Sequence, residues 1–238
     1  MILTAKILLM DHILITGASG NLGMAVTGML LEQGYRVSAM VSKRSNPRFM
    51  EHPMLRVIQA DLMNERDAEE AVHKAADDGP GISTGMLLVG GFAMGTIQQT
   101  SLTDVEKMYR LNFVTAYNVS RPLFKLMEQQ EKGGQLIFTG ARPALDPGAA
   151  RQMTGYALSK SLIFRLAEII NEEGTGKGIT ATVLVPGIID TPQNRESMPE
   201  SDFTKWVTPE RIAENLLHLL TPAGRELRKT ILKIYGDS

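Results

Sequence analysis

The stretch Thr16-Gly17-Ala18-Ser19-Gly20-Asn21-Leu22-Gly23 joins a short apolar run, residues 13–16, to a helix-length amphipathic run, residues 22–33. A glycine-rich turn between a strand and a helix is the context of a dinucleotide-binding fingerprint. Its glycines allow a tight turn, a close approach of the backbone to a pyrophosphate and close packing of the helix, while amides at the helix start bind phosphate. The alternative is a glycine-rich turn without a ligand. The predicted cofactor-binding residues of this turn are Gly17, Ser19, Gly20, Asn21, Leu22 and Gly23.

Strand-length apolar runs alternate with helix-length amphipathic runs along the rest of the chain. This alternation is typical of a parallel sheet covered by helices on both faces. The sequence therefore predicts a single-domain α/β Rossmann fold, with a doubly wound, seven-stranded parallel sheet in residues 11–238 and an N-terminal extension in residues 1–10. The predicted strands are residues 13–16, 36–41, 55–60, 86–89, 135–139, 179–185 and 231–235. The predicted helices are residues 22–33, 64–76, 103–130, 154–173 and 209–220.

The composition excludes several classes of partner. The net charge is −1 with both signs interspersed, so no overall field favours nucleic acid or an anionic membrane. There is no cysteine, and the four histidines lack ligand spacing, so we expect no metal. No apolar stretch approaches the ~20 residues that span a bilayer, and residues 1–10 do not resemble a signal peptide. We expect a cytoplasmic protein.

Tyr156 and Lys160 lie four residues apart in the predicted helix 154–173. This spacing stacks the two side chains on one face of a helix. A nearby ammonium favours the phenolate and so eases transfer of the phenolic proton near neutral pH. The pair is therefore predicted to deliver protons, and a solvated surface pair with the same spacing is the alternative.

The residues after the second predicted strand indicate the choice of cofactor. An acidic side chain there holds the 2′-hydroxyl of NAD, whereas a basic one accommodates the 2′-phosphate of NADP. This chain has Ser42, Lys43 and Arg44 and no acid at that point. The sequence therefore favours NADP(H) over NAD(H), although the two cations are also consistent with a solvated pair. Asp61 and Leu62 are expected at the adenine, and Val89, Gly90 and Gly91 at the adenosine side.

Taken together, these motifs resemble the short-chain dehydrogenase/reductase family over essentially the whole chain. In that family the residue matching Tyr156 donates a proton, the one matching Lys160 binds the nicotinamide ribose, and an asparagine, here Asn112, supports a proton-relay water. The resemblance also implies a homodimer or homotetramer built on the long helices. A further match is the turn that holds the nicotinamide carboxamide, represented here by Pro186, Gly187, Ile189 and Thr191.

One family feature is missing, because Ala141 stands where the family usually has a catalytic serine. Dihydropteridine reductases also carry alanine there, and residues 190–206 closely resemble their corresponding segment. Gly90-Gly91-Phe92 is similar to a Gly-Gly-aromatic motif of the same branch. These enzymes reduce a conjugated C=N bond, which needs less polarisation than a ketone.

The resemblance implies an NADPH-dependent oxidoreductase that reduces a quinonoid dihydropterin or a similar conjugated C=N or C=O substrate. A carbonyl or quinone reductase for a small ketone is one alternative, and a non-catalytic NADPH sensor or scaffold is another. Residues 193–207 are predicted to form a loop that acts as a substrate lid. The residues expected to shape the substrate pocket are Phe92, Met94, Ala141, Arg142, Met198 and Trp206.

Overall fold

A computed structural model describes residues 11–45, 49, 51–77, 79 and 81–237. The predicted N-terminal extension, residues 1–10, lies outside the described residues. The described chain forms one seven-stranded sheet in the order β3-β2-β1-β4-β5-β6-β7, in which every neighbouring pair is parallel. The strands are β1 His12–Thr16, β2 Arg36–Val41, β3 Leu55–Gln59, β4 Ile82–Leu87, β5 Gly134–Thr139, β6 Ile179–Pro186 and β7 Ile231–Ile234.

Helices cover both faces of this sheet. Those of one face pack apolar residues such as Val72, Leu123 and Ile163 against the sheet, and those of the other face contribute Val26 and Leu216. The predicted doubly wound Rossmann fold is therefore confirmed. On the first face lie α2 Glu65–Ala76, α4 Thr115–Glu128 and α5 Thr154–Glu173, and on the second lie α1 Asn21–Glu32 and α7 Pro209–Leu220. No helix of the described residues is long and apolar enough to cross a membrane.

The predicted bounds of the fourth strand, residues 86–89, are displaced from the observed strand Ile82–Leu87. The polar and small residues at its centre interrupt the apolar run that marks a buried strand. One of them is Gly85, where a Cβ would lie 2.6 Å from Leu123 Cδ1 and would force that buried side chain to shift. The displacement leaves residues 88–91 free to form the loop at the carboxyl edge of the sheet.

The predicted helix 103–130 is divided into three segments. It begins as α3, Leu102–Tyr109, passes through a π-helical turn at Arg110–Val114, and continues as α4. Ser101 caps α3 reciprocally with Asp104, since each accepts a hydrogen bond from the other's backbone amide. π-turns inside α-helices are frequent at functional sites, and this one contains Asn112.

The prediction that residues 193–207 form a loop is wrong in part. Pro192–Ser197 form a short helix, α6, and Phe203–Lys205 form one 3₁₀ turn. Pro192 occupies the first turn of α6, where its missing N–H costs nothing. The last helix, α8, is Pro222–Arg225.

Candidate active site

The glycine-rich turn forms a cradle at the carboxyl edge of β1. Gly17 adopts a φ of +69°, which favours glycine, and a Cβ there would lie 3.1 Å from the Val89 amide nitrogen. The Gly20 amide donates to the Gly17 carbonyl at 3.0 Å. A Cβ on Gly23 would overlap that same carbonyl oxygen. Gly17 and Gly23 therefore leave no room for a side chain.

The start of α1 is open to an anion. Gly20 is the N-cap residue and forms no side-chain cap, and the first turn carries no acidic residue. Asn21 is exposed there and Leu22 is half-buried. Ser19 Oγ donates to Ser45 Oγ at 3.1 Å, which ties the turn to the chain after β2. The uncapped helix and the cradle that a Cβ would fill fit a dinucleotide pyrophosphate.

Ser42, Lys43 and Arg44 are all exposed after β2. Lys43 Nζ lies 2.6 Å from Asp67 Oδ2, and this hydrogen bond raises the pKa of Lys43 and lowers that of Asp67. The Arg44 backbone amide donates to Ser42 Oγ at 3.2 Å, while its guanidinium forms no ion pair within the described part of the chain. Of the two predicted cations, Arg44 is thus the one available to a phosphate.

The other residues expected near the adenosine lie at the carboxyl ends of β3 and β4. Asp61 is exposed and its Oδ1 accepts from the Met63 amide at 3.0 Å. Leu62 is buried, and its carbonyl accepts from Asn118 Nδ2 at 3.0 Å. Sequence reasoning missed Asn118, because no motif contains it and its contact with Leu62 depends on how α4 packs.

Tyr156 and Lys160 both lie on α5, as predicted from their spacing. Lys160 is buried, its Nζ donates to the Thr139 carbonyl at 2.8 Å, and burial lowers its pKa to about 8. Tyr156 is half-buried, and burial raises the pKa of its phenol to about 12. At neutral pH the phenol therefore keeps its proton and the amine is mostly charged. The expected lowering of the phenol pKa by the ammonium is not found, because burial, which raises the pKa, dominates.

Asn112 is fully buried, and each of its side-chain polar atoms is engaged. Its Oδ1 accepts from the Gly91 amide at 2.8 Å, and its Nδ2 donates to the Gly91 carbonyl at 3.1 Å and to Ser159 Oγ at 2.9 Å. Ser159 in turn donates to the Tyr156 carbonyl at 2.8 Å. The asparagine thus fixes the loop after β4 to α5, and sequence reasoning missed Ser159 as the link between them.

Gly90 is held between two predicted catalytic groups. A Cβ built on Gly90 would lie 2.9 Å from Lys160 Nζ and 3.0 Å from Asn112 Oδ1. Both distances are shorter than ordinary side-chain contacts. The absence of a side chain here lets the loop backbone approach the buried ammonium.

The position of the missing serine is occupied by Ala141, which is buried two residues after the end of β5. It supplies no hydroxyl. The nearby Thr139 hydroxyl is buried and has no hydrogen-bond partner among the described residues. A buried polar atom without a partner is costly, so this hydroxyl is available to a ligand or a water at the site.

The predicted substrate residues have different neighbours. The Phe92 ring packs edge-on against Tyr156, with ring centroids 5.1 Å apart, and the exposed Met94 follows it along the chain. Arg142 instead stacks on Tyr235, at 5.4 Å from the ring centroid. Trp206 is buried against Phe203, and Met198 is half-buried.

Three hydrogen bonds hold the predicted carboxamide turn in place. The Gly187 amide, directly after Pro186, donates to the Ile234 carbonyl at 2.7 Å. Asn194 Nδ2 donates to the Ile189 carbonyl at 2.8 Å, and Thr191 Oγ1 accepts from the Asn194 amide at 3.2 Å to cap α6. Sequence reasoning missed this role of Asn194.

No group of three or more potential ligating side chains within the described residues has the arrangement of a metal site. The buried His12, one of the four histidines, instead shares a hydrogen bond of 2.9 Å with Ser38 Oγ.

A parallel sheet in this strand order, with a glycine-rich first turn and a tyrosine and lysine one turn apart on α5, defines a class of nicotinamide-dependent oxidoreductases. The family model described as short chain dehydrogenase matches residues 11–202. The chain belongs to this family and is an NAD(P)-dependent oxidoreductase.

The similar proteins are diverse reductases. A dihydropteridine reductase of Dictyostelium discoideum is 25% identical over 213 residues, which cover 88% of this chain and 87% of that protein. An acetoacetyl-CoA reductase of Acinetobacter sp. (strain RA3849) is 24% identical, over 94% of this chain and 95% of that protein. Among solved structures, a blue fluorescent protein from a metagenomic library, in complex with NADPH, has a TM-score of 0.79 at 22% identity and covers 95% of this chain and 97% of its own.

Proposed function

We propose that the protein is an NADPH-dependent reductase of a conjugated C=N or C=O substrate, with a quinonoid dihydropterin as the leading candidate. The observation that carries the proposal is the combination of a Tyr156 and Lys160 pair with a buried Ala141 in place of a hydroxyl residue. A dihydropteridine reductase is also among the similar proteins, at 25% identity.

The cradle formed by Gly17, Gly20 and Gly23 would hold the pyrophosphate of the dinucleotide, and the residues after β2 its ribose phosphate. When bound, the reduced nicotinamide supplies a hydride. The preference for NADPH is supported by the exposed Arg44 and by the lack of an acid at the end of β2. Asp67 competes for Lys43, so Arg44 is proposed to contribute most of the discrimination.

Tyr156 holds the proton that the product requires. Burial keeps its phenol protonated well above neutral pH. As that proton leaves, negative charge develops on the phenolic oxygen, and a charged Lys160 on the same face of α5 would stabilise it. Asn112 holds the Gly91 amide in the loop after β4, and Ser159 holds the Tyr156 carbonyl on α5.

The missing serine favours an activated substrate. A serine hydroxyl would polarise a ketone oxygen, and residue 141 provides none. A quinonoid dihydropterin is already electron-poor and has a basic nitrogen as its proton acceptor. Tyr156 alone therefore supplies the acid catalysis that such a substrate needs.

The assembly is proposed to be a homodimer or homotetramer. Tyr109, Phe113 and Tyr117 stack along the helix from α3 to α4, with centroid separations of 5.4 and 5.9 Å, and the two tyrosines are exposed. Leu158 and Leu162 are exposed on α5. Burying such side chains between subunits is favourable by about 25 cal/mol for each Å² removed from water.

The function is tested by NADPH oxidation with quinonoid dihydropterin generated in situ, comparing the wild-type protein with Tyr156→Phe. We expect turnover by the wild type and a loss of at least about 10²-fold in kcat in the variant, because only the proton donor is removed. NADPH binding, followed by nucleotide fluorescence, is the control and should not change. Turnover of ketones or quinones but not of the pterin would overturn the substrate assignment.

A further inference from the structure

A separate cleft lies beside the Tyr156 site, between the loop after β4 and the start of α5. Its volume is about 360 Å³, near the small end of the range of roughly 300–1,000 Å³ for ligand pockets. Residues 93–95 line it, directly after the Phe92 that packs on the Tyr156 ring, and so does Gly155, which precedes Tyr156. Residues on two walls of the cleft are therefore the sequence neighbours of Phe92 and Tyr156, which do not line the cleft themselves.

The walls of the cleft combine two kinds of chemistry. Met94 and Met108 supply flexible apolar surface and thioether sulfurs, which make favourable contacts with aromatic rings. Gln99, Asp104 and Gln152 supply polar groups. A flat heteroaromatic ring with a hydrogen-bonding edge is complementary to such walls.

The polar groups retain free hydrogen-bonding capacity. Asp104 uses Oδ2 to accept from the Ser101 hydroxyl at 2.6 Å and amide at 3.0 Å, whereas its Oδ1 has no partner within the described residues. These bonds from Ser101 lower the pKa of Asp104 and keep it ionised. Gln99 accepts from Thr96 through Oε1, so its Nε2 remains available as a donor.

The backbone holds the cleft in shape. Gln152 adopts a φ of +61°, an uncommon conformation for a residue with a side chain, and one that clusters at functional sites. Its carbonyl accepts from the Gly95 amide at 2.7 Å, and the Thr154 amide donates to the Gly95 carbonyl at 3.1 Å. Both walls are thus tied to the start of the helix that carries Tyr156.

We propose that this cleft binds the 2-amino-4-oxopyrimidine edge of a pterin, with Asp104 Oδ1 accepting from its ring N–H or amino group and the amide of Gln99 donating to its carbonyl. The edge that reacts lies at the other end of the bicyclic ring, toward Phe92 and Tyr156. The inference rests on the proposed reduction of a dihydropterin and names the residues that would select it.

The test measures binding of oxidised pterin (2-amino-4-oxopteridine), through its own fluorescence, and of lumazine, which carries a carbonyl in place of the 2-amino group. Wild type, Asp104→Asn and Glu106→Gln are compared. The asparagine keeps an acceptor for the Ser101 cap but loses the charge. Glu106 lies on the same exposed helix outside the cleft, so its variant matches the charge change.

We expect wild type and Glu106→Gln to bind pterin at least about tenfold more tightly than lumazine, and Asp104→Asn to lose most of that preference. The KM for quinonoid dihydropterin should rise in Asp104→Asn while kcat and the KM for NADPH stay within about twofold. Equal binding of the two pteridines by the wild type, or an unchanged preference in Asp104→Asn, would overturn the inference.

The two proposals fail separately. Selective pterin binding without dihydropterin turnover would refute the proposed reaction and leave the cleft assignment standing. Turnover without selectivity at Asp104 would refute the cleft assignment alone.

Discussion

Replacing Gly90 by alanine should damage catalysis more than folding. The added Cβ would lie 2.9 Å from Lys160 Nζ and 3.0 Å from Asn112 Oδ1, whereas ordinary contacts begin near 3.4 Å. The ammonium and the amide must therefore retreat by about half an ångström, and a displacement of about 1 Å at catalytic groups costs up to ~10²-fold in rate. We expect kcat to fall by roughly 10- to 100-fold and the free energy of unfolding by about 1–3 kcal/mol.

Steady-state NADPH oxidation and urea unfolding of Gly90→Ala measure these two effects. The control is Gly28→Ala on α1, where a Cβ meets nothing within 4 Å. This control should keep its kcat and gain up to about 1 kcal/mol from helix propensity. A kcat of Gly90→Ala within threefold of the wild type, with the fold intact, would show that the contacts at Gly90 do not set the catalytic geometry.

Three further predictions concern charge and assembly. Burial lowers the pKa of Lys160 to about 8 from 10.5, so the native state loses this proton at a lower pH than the unfolded state does. At pH 7 the buried charge therefore destabilises the wild type, and Lys160→Met should be more stable by up to about 3 kcal/mol. The lost hydrogen bond to the Thr139 carbonyl reduces this gain. That advantage should shrink between pH 8 and pH 10.5 in chemical unfolding, and a constant difference would contradict the assignment. Arg44→Ala should raise the KM for NADPH by about tenfold and leave that for NADH unchanged, and equal effects on both would refute the phosphate contact. In light scattering the wild type should be a dimer or larger, with Leu158→Glu shifting it toward monomer, and a monomeric wild type would refute the proposed assembly.

Strand periodicity was sufficient to predict the sheet, and the glycine pattern was sufficient to predict a tight turn between β1 and α1, because both depend on local patterns. The start of β4 escaped prediction, since Ser83, Thr84 and Gly85 interrupt the apolar run, and the close packing of Gly85 on Leu123 depends on the fold. The π-turn also escaped, because the residues around Asn112 are ordinary helix residues and only their tertiary bonds reveal the extra residue.

Pairings between distant residues formed the second class of features beyond the reach of sequence. The ion pair of Lys43 with Asp67 joins the end of β2 to α2, and the stacking of Arg142 on Tyr235 joins the ends of β5 and β7. The two residues of each pair are far apart in the sequence, and the fold brings them together. Motifs therefore predict which residues are functional, but they do not predict which of the charged side chains are already paired with a distant neighbour.

The π-turn between α3 and α4 changes the direction in which successive side chains point around the helix axis. α3 packs against α5, whereas α4 packs against α2, so the two halves present their inner sides to different neighbours. Each helical residue turns the chain by about 100°. Deleting a single residue from Arg110–Val114 would therefore rotate one half against the other by that angle. Either Asn112 would lose its hydrogen bonds to Gly91, or the apolar side chains of α4 would no longer face the sheet. The number of residues in this turn is therefore as constrained as their identity.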